Sequence, residues 1–195
     1  MKVSIGKISK DLGFALMKLG LNVAKSQLPE NTYWALNSAN KDSQLSSEIT
    51  QRYTMSADEL SKLIQQKCKS VTVWCWDGKY RYIGLEDWRK IINKDTLDRM
   101  KYIAEFHDCD NFAVQFSAYV DIFFQLNSAG IAIGAVLDKN ANIIGYHAWN
   151  CIVVQENDKA EVYFYEPQAD ILKKVESCIV DMDWAKYSAD LIIFK

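Results

Sequence analysis

Apolar residues Leu12, Ala15, Leu16, Leu19 and Val23 recur at helical spacing, so an amphipathic helix is expected over residues 9 to 27. Residues 37 to 51 are polar and rich in Ser, Asn and Gln, the pattern of a loop and a boundary. Ser56-Ala57-Asp58-Glu59 has the form of a capping box opening a helix through about Cys68. The run from Val71 to Trp76 is rich in strand formers, and Asp77-Gly78 supplies a tight turn into Tyr80 to Ile83. Short helices follow at 85 to 93 and from Thr96 to Ala104, the second capped by Asp95. Phe112, Ala113, Phe116, Val120, Phe123 and Phe124 mark a buried helix from Asp110 to Leu126, with Cys109 at its start. Strands are then expected over Ile131 to Leu137, Ile143 to Val154, Ala160 to Glu166 and Asp190 to Phe194. A helix followed by a run of strands predicts an α+β protein. Two parts are expected: a mostly helical N-terminal extension over 1–52 and a domain over 53–195.

Composition leaves that picture in place. The chain has 195 residues, 49% hydrophobic and 25% charged, which suits one folded globule with an extension. Net charge is -2, and no basic stripe is present, so no electrostatic footprint for nucleic acid exists. The apolar stretches at 14 to 23 and 119 to 137 are interrupted by Lys18, Asn22, Asp121, Gln125 and Asn127, so no membrane span is expected. Five Cys without a CxxC pattern suggest free thiols in a reducing, cytoplasmic setting, and no zinc site is expected.

The candidate chemistry centres on Cys109. A thiol attacks as its thiolate, and a helix N-terminus favours that charge. An imidazolium partner completes the activation. Only His107 and His147 exist, and His147 lies in an expected strand, while His107 is adjacent in sequence to the thiol. The imidazole then needs an orienting group. A hairpin between 143–154 and 160–166 brings either Glu166 or Gln168 near His147, since both share a face. Asp108 and Asp110 read as a helix cap and a charge favoured by the helix dipole. Trp74, Trp76 and Trp149 suit either a core or a cleft wall.

Three short motifs carry a resemblance. Asp108-Cys109-Asp110-Asn111-Phe112-Ala113, then Gly145-Tyr146-His147-Ala148-Trp149-Asn150, then Tyr165-Glu166-Pro167-Gln168, resemble the papain-like cysteine hydrolases. Within that group they look most like the cysteine-protease domain attached to a mushroom agglutinin, and like phage and bacterial proteins with a D-C-D-x-F-A motif. The resemblance covers about residues 71 to 170. It implies a papain-like fold, with the nucleophile on a buried helix packed on an antiparallel sheet. It also implies a Cys109–His147–Glu166 triad acting as a thiol protease or as an amidase of a peptide or peptidoglycan-like substrate. Calcium enters only through this resemblance; no other cofactor is expected. The Gln that such enzymes place before the Cys is missing; the Cys109 backbone N–H offers one oxyanion donor and His107 is the candidate for the second. The rival expectation is a non-catalytic scaffold serving as a phage or bacterial binding or structural protein, virion-associated in that case. Its N-terminal region would then contact a protein partner or a second copy.

Overall fold

A computed structural model describes residues 45–195. The expected helix over 9 to 27, and nearly all of the expected extension, lie outside the described residues. The elements run β1 (Tyr53–Ser56), α1 (Ala57–Lys67), β2 (Thr72–Cys75), β3 (Lys79–Gly84), α2 (Leu85–Ile92), α3 (Cys109–Phe124) and β4 (Ala129–Leu137). Then follow β5 (Ile143–Glu156), β6 (Lys159–Glu166), β7 (Ile171–Lys174), β8 (Ile179–Asp181) and β9 (Lys186–Phe194). The nine strands of the described residues join one sheet, with β1-β3-β5-β4-β9-β2 as its main path and β6, β7 and β8 as branches.

Strand β5 is the spine. It pairs β6 from Asn150 to Glu156 along one edge and, along the other, β4 from Ile143 to Ile152 and then β3 at Val154 and Gln155. Its side chains alternate between two cores. Trp149, Cys151 and Val153 pack on the face that carries Leu60 and Ile64 of α1. Ile152 and Val154 pack on the other, with Trp88 of α2 and Phe112, Phe116 and Phe124 of α3. Leu45 and Ile49 are buried in that second core. Polar clasps fix the layers: Trp88 Nε1 donates to Val153 O at 2.8 Å, and Ser117 Oγ to Ala129 O at 2.7 Å. Asn150, fully buried, donates through Nδ2 to Ala113 O at 2.8 Å and to Gly130 O at 3.2 Å, tying α3 to β4 and β5. No helix among the described residues is long and apolar enough to cross a membrane.

The papain-like α+β expectation is corrected here. Among the described residues strand exceeds helix, and the strands form one curled sheet that is mixed: β2 runs parallel to β9, and β3 to β5. Local pattern does not report strand direction, because a buried strand reads the same in either pairing. The expected helix from Thr96 to Ala104 is also corrected. Asp95 spends its carboxylate on Leu97 N at 2.9 Å, which closes one 3-10 turn over Leu97–Arg99, and Met100 is already extended. Strand β9 begins at Lys186, four residues before the expected start. The capping box at Ser56 is present, with Glu59 Oε2 accepting from Ser56 N at 2.7 Å. Helix α3 stops at Phe124, where Gln125 takes the left-handed conformation at φ 56.

Gly134 stands opposite His147 in the β4–β5 ladder and next to an irregularity in the β4–β9 ladder. A Cβ there would sit 2.0 Å from Ser188 O and 2.8 Å from Ala189 Cα. Gly134→Ala should therefore destabilise the protein by about 3 kcal/mol or more, read as a lower urea midpoint.

Candidate functional site

The site forms where β5 outruns β6. Their pairing begins at Asn150, so residues 143–149 of β5 have no partner strand on that edge among the described residues. The first residue of α3, Cys109, meets this free edge, with Ala148 N–H donating to its sulfur and His147 bonding it. Residues Asp108 and Asn111 hold the helix end in a capping box, Asp108 N donating to Asn111 Oδ1 at 3.1 Å. The thiol thus faces a helix N-terminus, a backbone N–H and an imidazole, all of which favour its charge.

His147 Nε2 lies 2.6 Å from Glu166 Oε2, which leaves the other ring nitrogen for Cys109. Continuing the β5–β6 register by one step sets Glu166 across from Trp149, and His147 is two residues along on the same face. Gln168 contributes through its backbone, donating from N to Glu166 Oε1 at 3.2 Å. The Glu166 carboxylate is 3% exposed, so it must be satisfied from within the protein. Tyr187 OH completes the set, donating to Oε2 at 2.8 Å. Burial, and next the Glu166 charge, push the Tyr187 phenol far up, so it remains a donor. Aromatic rings box the imidazole: Trp149 stacks at 6.1 Å, and Tyr187 and Trp184 meet it edge-on at 5.2 and 6.4 Å.

Opposing effects act on the pair. The hydrogen bond from His147 lowers the Cys109 pKa below 9.0 and outweighs burial, with Ala148 N–H and the imidazole charge adding to it. Burial pulls His147 down, but its bonds to Cys109 and Glu166 prevail and raise it to about 9. Both shifts favour a thiolate beside an imidazolium, and such a thiolate is a nucleophile at neutral pH.

The structure thus brings Cys109, His147 and Glu166 together. His107 is turned to other work: Nδ1 lies 3.1 Å from Lys101 O, Nε2 lies 2.9 Å from Gln115 Nε2, and the ring packs on Phe112. It is no oxyanion donor in this arrangement. Asp108 and Asp110 sit close enough to the thiol that the three ligand atoms fall within 4.8 Å of one another. Asp108 is spent on the helix end, and its hydrogen bond and charge raise the Asp110 pKa. Trp149 belongs to the core, whereas Trp74 and Trp76 are exposed. Tyr187, Trp184 and the Ala148 N–H were not visible as site residues in the sequence. An earlier start to β9, read from Tyr187 and Ala189 alternating with polar positions, would have placed the first of them.

Two measurements check this electrostatic account. Iodoacetamide should label Cys109 faster than the other four thiols, with its half-maximal rate below the ordinary thiol value of about 8.5, and His147→Ala should cut the rate at neutral pH about tenfold or more. The raised His147 pKa contributes stability that is full below 6.5 and is lost as pH rises through about 9. Tyr187→Phe should cost roughly 1–3 kcal/mol in chemical denaturation, because a buried carboxylate loses a donor.

Comparison with known proteins corrects the functional expectation. A search of curated protein sequences gives no match. Among solved structures, one described as "PSL1a-E64 complex" is 20% identical, with a TM-score of 0.55 over 72% of this chain and 51% of that one. Another, the Polyporus squamosus lectin bound to the epitope Neu5Aca2-6Galb1-4GlcNAc, is 19% identical, with a TM-score of 0.54 over 72% of this chain and 49% of that one. The chain therefore spans about half the length of these structures, and at such identity they speak for the fold alone. The family model that matches residues 44–182 is "Ricin-type beta-trefoil lectin C-terminal domain". This match overturns the papain-like assignment, and with it the expected thiol protease or amidase and its peptide or peptidoglycan-like substrate. The chain belongs to the family of ricin-type beta-trefoil lectin C-terminal domains.

Proposed function

We propose that this chain is a carbohydrate-binding, lectin-type module, and that its ligand site is the aromatic-flanked surface at Cys109, His147 and Glu166. Family membership supports the class of function. The observation that carries the location is Trp184, which stands 59% exposed beside the His147 imidazole. An exposed indole offers a flat apolar face to the C–H bonds of a sugar ring, while nearby polar groups fix its hydroxyls. The Polyporus squamosus lectin is described as bound to a sialylated galactose-containing epitope, so sialyl-galactosides are the first ligands to try.

A second reading concerns the thiol. PSL1a is described as a complex with E64, and a thiolate site of the kind built at Cys109 is the place on this chain for such a small molecule.

Titration calorimetry against sialylated and neutral galactosides should give saturable binding, weakened about tenfold or more by Trp184→Ala. Absence of binding to any of a broad glycan panel sinks the sugar reading. If E64 then adds to Cys109 while no glycan binds, this surface is a thiol-directed ligand site instead.

A further inference from the structure

A pair of thiols lies away from Cys109. Cys68 ends α1, its N–H bonded to Ile64 O at 2.8 Å, and its side chain is buried. Cys178 precedes β8 and is half-buried. The Cys178 thiol donates to Lys67 O at 3.5 Å, the carbonyl of the residue before Cys68. That oxygen is about 3 Å from the Cys68 Cα across one peptide unit, so the two side chains lie within bridging reach. Both pack in one core cluster. Cys178 also lines an open depression with Gln66, Lys67, Lys69, Ser70 and Ser177, which gives a small solute access to its sulfur. Cys151, the other thiol near Cys68, is fully buried and cannot be reached in this way.

We propose that Cys68 and Cys178 are a reversible redox site, closed to a disulfide by exchange with a small-molecule disulfide. The Cys178 thiolate, reached from the depression, attacks one sulfur of the reagent, forms a mixed disulfide and releases one thiol. Cys68, as its thiolate, then attacks the Cys178 sulfur and displaces the second thiol. The protein loses two protons and two electrons, and the reagent disulfide gains them as two thiols. Burial, followed by the neighbouring Cys178, raises the Cys68 pKa to about 12, so the second step is slow and quickens as pH rises. The bond joins the end of α1 to a segment more than a hundred residues away, a long loop whose closure restrains the unfolded chain strongly. It also tethers β8, whose Val180 pairs with Tyr187 of β9, so the cross-link stiffens the strand pair that holds Tyr187 and Trp184 against His147.

The test is exposure of the full chain to excess oxidised glutathione at about pH 8, in the wild type and in Cys109→Ser, which removes the competing thiol. The expected product is lighter by two hydrogens, gives a cross-linked peptide containing Cys68 and Cys178, and melts roughly 10 °C higher. Dithiothreitol should reverse both changes. Cys178→Ser should abolish the product and Cys75→Ser should leave it intact. A stable glutathione adduct on Cys178 with Cys68 free overturns the proposal. So does a cross-link through Cys75 or Cys151, or a Cys68–Cys178 bond that leaves the melting temperature unmoved.

Discussion

Glu166 is a carboxylate buried almost completely at the end of a strand, and the site is organised around the need to keep it satisfied. Its oxygens collect the imidazole of His147, the phenol of Tyr187 and the backbone N–H of Gln168. Each partner comes from a different stretch of chain, so the charge ties β5, β9 and the turn after β6 to one point. Removing any of them leaves a buried charge short of a partner, which costs more than the bond itself contributes. The imidazole held in this way is fixed in orientation, and its free nitrogen meets the thiol of Cys109.

That thiol is there because β5 is longer than β6. A strand paired on both edges would have spent the Ala148 N–H on a neighbour. Left open from residue 143 to 149, the edge offers that N–H to the sulfur. Helix α3 is held against the other face of the sheet by Asn150 and Ser117, both bonded to backbone carbonyls. The precision of the thiol–imidazole contact therefore rests on buried polar clasps as much as on apolar packing. A charged constellation of this kind in a family of lectin domains fits a ligand site, because perturbed groups gather where a partner is engaged. Fold membership alone does not assign their chemistry.

Much of the local structure was legible. The capping box at Ser56, the heptad-like apolar steps of α3 and the alternation in β5 and β6 all follow from short-range pattern. The hairpin pattern also brings Glu166 or Gln168 to the face of His147, but the choice between them depends on a register that alternation alone leaves open. What misled was the transfer of a global fold from three short motifs. Those motifs fix the neighbourhood of a thiol, an imidazole and a carboxylate, and they leave strand direction and sheet order open. The segment from Thr96 to Ala104 also had helical composition, yet Asp95 diverts its backbone into a single turn and Tyr165 OH donates to the same carboxyl at 3.1 Å.

The sequence by itself determined the elements with strong periodicity, the capped start of α3 under Cys109 and the pairing of β5 with β6. These depend on residues close along the chain, where alternation, capping and turn chemistry act. Only the tertiary structure decided that β9 lies between β4 and β2, that Tyr187 and Trp184 stand against His147, and that Cys178 reaches the end of α1. Such contacts join distant segments, and they are selected by how two cores close on a common sheet, a property that no window of residues carries.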